Sequence, residues 1–134
     1  MASVVIDASF ALALVLPDEA KPPAAMIALL ERDGAVVPAL WPAEVGNTLV
    51  VAERRQRVTA SAIDRIVAEL STLPLTVEDR PALLSWTACI GLAMRHRLTV
   101  YDATYLELAV RRRLPLATLD KDLHRAAKAE GVGG

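Results

Sequence analysis

A chain of 134 residues, 54% hydrophobic and 23% charged, is long enough for one compact domain, taken as residues 1–134, and too apolar to stay disordered. Its net charge of −1 excludes a nucleic-acid binder that works through an overall basic surface, so any such contact needs a local basic patch or bridging metal ions. The single cysteine, Cys89, excludes an intramolecular disulfide and points to a reducing, cytoplasmic setting.

Residues 3–6 (Ser-Val-Val-Ile) read as a first strand, apolar without alternation, as burial on both faces requires. Residues 8–16 read as a short helix stopped near Pro17. The apolar stretch 4–16 lacks a basic leader and is interrupted by Asp7, so it does not read as a secretion signal. No segment approaches the ~18 uninterrupted apolar residues of a membrane-spanning helix. A second helix is expected over 19–32, with Met26, Leu29 and Leu30 inward, Gly34 past its end, and Pro22 and Pro23 tolerable only in its first turn.

Residues 35–37 are a second strand, followed by a helix over 42–55 with Pro42 near its first turn. In 59–73, Ile63, Ile66, Val67 and Leu70 recur at helical spacing. A strand over 75–77, helices over 81–97 and 102–113, a strand over 116–119 and a helix over 120–130 ended by Gly131 complete the series. Strands separated by helices imply crossovers, hence an α/β domain with a parallel sheet of about four to five strands. Ligand sites in such sheets lie beyond the carboxyl ends of the strands.

That edge is where acidic residues gather. Asp7 follows the first strand and Asp120 the last, Asp102 opens a helix, and Glu44 lies in the first turn of another. Each taken singly has an ordinary explanation, since aspartate is a favoured N-cap and first-turn acids complement the helix dipole. Together on one rim, four carboxylates repel one another and must take up protons or bind a cation. Hard oxygen ligands favour Mg²⁺ or Mn²⁺, which suits phosphodiester hydrolysis. With only His96 and His124 present, a histidine-based zinc site is poorly supported. The chain has neither a phosphate-cradling glycine-rich loop nor a G-x-S-x-G elbow.

Four segments also carry a family resemblance. Val5-Ile6-Asp7-Ala8-Ser9 resembles the opening motif of PIN domains, and Glu44-Val45-Gly46-Asn47-Thr48-Leu49 their second. Val100-Tyr101-Asp102-Ala103-Thr104-Tyr105-Leu106-Glu107-Leu108-Ala109 resembles the third, and Leu116-Ala117-Thr118-Leu119-Asp120-Lys121-Asp122-Leu123 the fourth. The compact form is similar to the VapC toxins of toxin–antitoxin pairs. The resemblance implies a Mg²⁺- or Mn²⁺-dependent endoribonuclease, dimeric and inhibited by a VapB-type antitoxin protein. It implies Asp7 and Asp102 as metal ligands, with Glu44 and Asp120 completing the catalytic acids and Asp122 as an accessory. Alternatives are a PIN nuclease of RNA processing or quality control, and a non-catalytic RNA- or protein-binding module.

The remaining polar residues have two readings each. Asn47 and Thr48, at i+3 and i+4 from Glu44, either orient that acid or are solvated; Ser9 and Thr118 either reach the site or serve locally. Gly46 costs its helix about 1 kcal/mol relative to alanine. Three basic clusters, residues 54–57, 95–97 and 111–113, fall at helix C-termini, where cations match the dipole and the acidic rim is distant. Lys121, His124 and Arg125 lie nearer the rim and are the better phosphate contacts. Trp86 and Tyr105 are expected to pack, whereas Trp41 and Tyr101 flank the acids and suit stacking on bases.

Overall fold

The computed structural model describes residues 2–16 and 20–134. Strand β1 (Val4–Ile6) leads through Asp7 into α1 (Ala8–Val15), and α2 (Ala24–Asp33) leads into β2 (Ala35–Val37). The hairpin of α3 (Trp41–Arg54) and α4 (Ala60–Ser71) precedes β3 (Leu75–Val77). Helices α5 (Ala82–His96) and α6 (Val100–Arg112) pack on each other before β4 (Leu116–Ala117) and α7 (Lys121–Ala129). The four strands form one parallel sheet in the order β3-β2-β1-β4. This is the expected α/β architecture.

The central strands are short and entirely apolar because helices cover both their faces. Val4, Val5, Ile6, Val36 and Val37 are fully buried. β3 forms one edge, and its Val77 is exposed. Beyond β4, the C-terminal tail runs alongside, with Leu116 donating its N–H to the Val132 carbonyl at 2.8 Å. Gly34 ends α2 at φ 81°, and a Cβ there would stand 2.7 Å from the Pro74 carbonyl oxygen. That carbonyl accepts the Ala35 N–H at 2.9 Å, so only glycine lets β2 and the approach to β3 meet this closely.

Several element boundaries differ from the expected ones, for identifiable reasons. α2 starts at Ala24, because proline disfavours helical backbone in the residue before it and Pro23 is itself extended (ψ 135°). The expected start at Glu19 lies outside the described residues. In α4, Ile66 and Leu70 are buried but Val67 is exposed, so the apolar stripe is narrower than the spacing suggests. α6 begins two residues before Asp102, because Thr99 caps it by accepting the Asp102 N–H at 3.1 Å. β4 stops at Ala117, and the Leu119 N–H turns to the Ser9 hydroxyl and not to a neighbouring strand. No helix among the described residues is long and apolar enough to cross a membrane.

Candidate active site

All four anticipated acids line one cleft at the carboxyl edge of the sheet. The cleft, about 220 Å³, is bounded by Asp7, Glu44, Asp102 and Asp120 with Ala8, Ser9, Asn47 and Thr48. Asp122 is not among them; it points to solvent and pairs with Arg125 at 2.8 Å.

Asp7 is the most constrained member, only 5% exposed. Its Oδ1 accepts the Phe10 N–H at 2.9 Å, capping α1, and the Ser9 hydroxyl at 2.7 Å. Its Oδ2 accepts the Thr118 hydroxyl. Both hydroxyls then tie Asp7 to the loop before α7: Ser9 Oγ accepts the Leu119 N–H and Thr118 Oγ1 the Asp120 N–H, each at 3.0 Å. Ser9 and Thr118 therefore act at the site, fixing Asp7 relative to Asp120 across more than a hundred residues of sequence. Burial pushes the Asp7 carboxyl above its ordinary range, against the lowering effect of the Thr118, Phe10 and Ser9 bonds.

Asp120 caps α7 through the Leu123 N–H at 2.9 Å. Glu44, in the first turn of α3, accepts the Tyr105 hydroxyl on Oε1 at 2.6 Å. Tyr105 is fully buried in α6, so the expected packing role holds, but its hydroxyl also orients an acid 61 residues away. Asn47 is exposed on the cleft wall, while Thr48 donates to the Glu44 backbone carbonyl at 3.0 Å and does not touch its carboxylate.

Asp102 differs from the other aspartates in being free of capping. Thr99 caps α6 by accepting the Asp102 N–H, and its hydroxyl also bonds the Asp102 carboxylate, which caps no helix itself. Burial, then the charges of Asp120, Glu44 and Asp7, raise its pKa to about 6. The acids thus sense one another's charge, and a cation would relieve that repulsion. Among the described residues no group of three is drawn close enough to cage an ion by itself. The donor set, all hard oxygen, fits Mg²⁺ or Mn²⁺.

The basic and aromatic residues are arranged differently from expectation. Arg111 pairs with Glu78 and Glu107, at 2.6 and 2.8 Å, and Arg112 with Glu78 at 3.0 Å. Burial would raise Glu78, but these two guanidiniums hold it below the ordinary range. Arg95 and His96 both meet Glu130, joining α5 to the end of α7. Arg125 is bound to Asp122 and to the His96 carbonyl on the surface. Two of the three clusters are thus structural ties. Trp41 is buried in an apolar cavity between α3 and α4, away from the acids; Trp86 is 58% exposed; Tyr101 is exposed beside Asp102.

Comparison with known proteins shows the family of the chain. A family model described as PIN domain matches residues 4–129. The chain is 34% identical over 131 residues to Ribonuclease VapC3 of Mycobacterium tuberculosis, covering 97% of this chain and 92% of that protein. It is 34% identical over 110 residues to Ribonuclease VapC1 of the same organism, covering 78% and 74%. The crystal structure of PAE2754 from Pyrobaculum aerophilum superposes with a TM-score of 0.70 at 26% identity, covering 92% of this chain and 84% of that one.

Proposed function

The chain belongs to the PIN-domain family, and from that premise we propose that it is a metal-dependent endoribonuclease, the toxin of a toxin–antitoxin pair. The observation that carries this reading is the convergence of Asp7, Glu44, Asp102 and Asp120 on one open cleft. The VapC relatives, named as ribonucleases, support RNA as the substrate. A non-catalytic module has no need to hold four repelling carboxylates together.

In this reading Asp7 and Asp102 hold a divalent cation, Mg²⁺ or Mn²⁺. Bound there, such a cation would offset the charge of the scissile phosphate and would acidify a water. The chain's own work is to orient the acids. Ser9, Thr118 and the Phe10 N–H hold Asp7 in one rotamer and leave acceptor capacity on Oδ2. Tyr105 does the same for Glu44 and leaves Oε2 turned to other donors or to water. Asp120, fixed by its cap, adds negative charge that favours cation over anion in the cleft.

The deciding assay incubates the chain with structured RNAs in Mg²⁺, Mn²⁺ or EDTA. Cleavage with either metal and none in EDTA is expected; undiminished cleavage in EDTA contradicts the mechanism. A finer expectation concerns Tyr105. Tyr105→Phe removes only the hydroxyl that orients Glu44, an acid this reading does not place on the metal, so RNA cleavage is expected to fall by roughly 10–100-fold while Mn²⁺ affinity holds. Cleavage rates beside a Mn²⁺ titration check this, and cleavage equal to wild type would show that the Tyr105 bond is merely structural.

The proposed partners are a VapB-type antitoxin and a second copy of the chain, in the cytoplasm. The outer face of α5 favours the dimer: Leu83, Trp86, Ile90 and Met94 are exposed at helical spacing, beside Tyr101. A chain that sediments only as a monomer at micromolar concentration contradicts this part.

A further inference from the structure

We infer that the groove along the α3–α4 hairpin is a binding track for the RNA phosphate backbone, held by Arg55, Arg57 and Arg65. The inference rests on the ribonuclease reading and adds where the substrate lies outside the cleft. A nuclease of net charge −1 with an acidic active site must draw its polyanionic substrate by a local basic surface. The structure contains one that opens onto that site.

A cavity of about 740 Å³ runs between the end of α1, the α3 face below Glu44 and the start of α4. Asn47 and Thr48 line both this cavity and the acidic cleft, so the two are continuous. At the far end stand Arg55, Arg57 and Arg65, all exposed. None of the three forms a salt bridge with a described residue, unlike Arg95, Arg111, Arg112 and Arg125. Eleven residues of helix at 1.5 Å each separate Glu44 from Arg55, about 16 Å, the reach of a few nucleotides.

The turn presenting the arginines is well defined. Arg55 N–H bonds to the Val51 carbonyl at 3.0 Å, Gln56 to Glu53 at 2.9 Å and Arg57 to Ala52 at 2.8 Å. Gln56 sits at φ 60°, a left-handed position that non-glycine residues seldom adopt. The cluster stands far from the acids along the helix axis, as expected, but Asn47 and Thr48 on the hairpin's surface link the two.

The test compares Arg55→Gln/Arg57→Gln/Arg65→Gln with a charge-matched control, Arg32→Gln/Arg54→Gln/Lys128→Gln, whose residues are exposed and lie off the groove. Both are measured for anisotropy of labelled single-stranded RNA across a salt series, and for cleavage of a dinucleotide and a longer RNA. The groove variant should bind about tenfold or more weakly and lose about 2 from the slope of log K against log salt. It should show a raised KM on the longer RNA with unchanged dinucleotide cleavage. Equal losses in both variants overturn the groove assignment. Wild type that cleaves RNA with a groove variant indistinguishable from it also overturns it, leaving the nuclease reading standing. Wild type that neither binds nor cleaves RNA removes both. Melting temperatures within a few degrees of wild type confirm that the exposed substitutions leave the fold intact.

Discussion

Asp102→Asn is expected to lower RNA cleavage on the order of 10³-fold or more, a larger loss than the 10²–10³ typical of removing one donor from a transition-state site. The substitution is nearly isosteric, and Asp102 has no capping duty because Thr99 performs it. The fold should therefore survive, which separates loss of chemistry from loss of structure. The same cannot be said of Asp7, whose carboxylate also caps α1 and gathers Ser9 and Thr118.

Asp102 further links activity to pH. Its pKa rises from 3.8 unfolded to about 6 folded, through burial and the charges of Asp120, Glu44 and Asp7. Between these values the folded chain holds a proton that the unfolded chain releases. Stability without metal therefore falls as pH rises through that window, and the penalty is complete above about 6. Asp102→Asn should reduce this slope to the part that the raised Asp7 carboxyl still contributes, and raise the melting temperature at neutral pH by a few degrees. Metal affinity runs the other way, since the cation competes with the proton, and should improve as pH rises through about 6. A wild-type melting temperature that is flat from pH 4 to 7 in EDTA, or lower in the variant, would contradict the electrostatic description of the cleft.

The second large effect is structural. Arg111→Met should destabilise the fold by about 2–3 kcal/mol, lowering the melting temperature by roughly 8–15 °C. Arg111 bridges Glu78, at the end of β3, to Glu107 on its own helix. Glu107 is only 8% exposed, so losing its cation leaves a buried charge without a partner. The estimate sits below the 3–5 kcal/mol of a fully buried pair because Arg111 is 27% exposed and Arg112 still neutralises Glu78. Adding Glu107→Gln should restore part of the loss. Thermal melts of the two variants check this, and a change under about 2 °C in the single variant would show the ion network to be worth little.

How much of this was readable in the sequence follows from how local each signal is. Strand β1 announces itself by an unbroken apolar run, and Asp7 and Asp120 by standing directly after strands. Parallel topology then brings Asp7, Glu44, Asp102 and Asp120 to one edge without knowledge of a single contact. Long-range pairings were not legible. Nothing in the spacing of Tyr105 points to Glu44, or of Thr118 to Asp7, because such bonds depend on how α6 and β4 pack. The arginines at 95, 111 and 112 read as solvated, since their acidic partners at 78 and 130 come from other elements. Trp86 sits on a helix whose periodicity marks an apolar face without saying whether that face meets the core or another molecule.

The most direct test of the central claim is a Mn²⁺ titration of the wild-type chain and Asp102→Asn at neutral pH, read by electron paramagnetic resonance. The account predicts saturable binding to the wild type and a loss of roughly 100-fold or more in affinity for the variant, beyond the 10–100-fold typical of an outer-shell change. Equal Mn²⁺ affinity in the two folded proteins would mean that the acidic cleft is not the metal site.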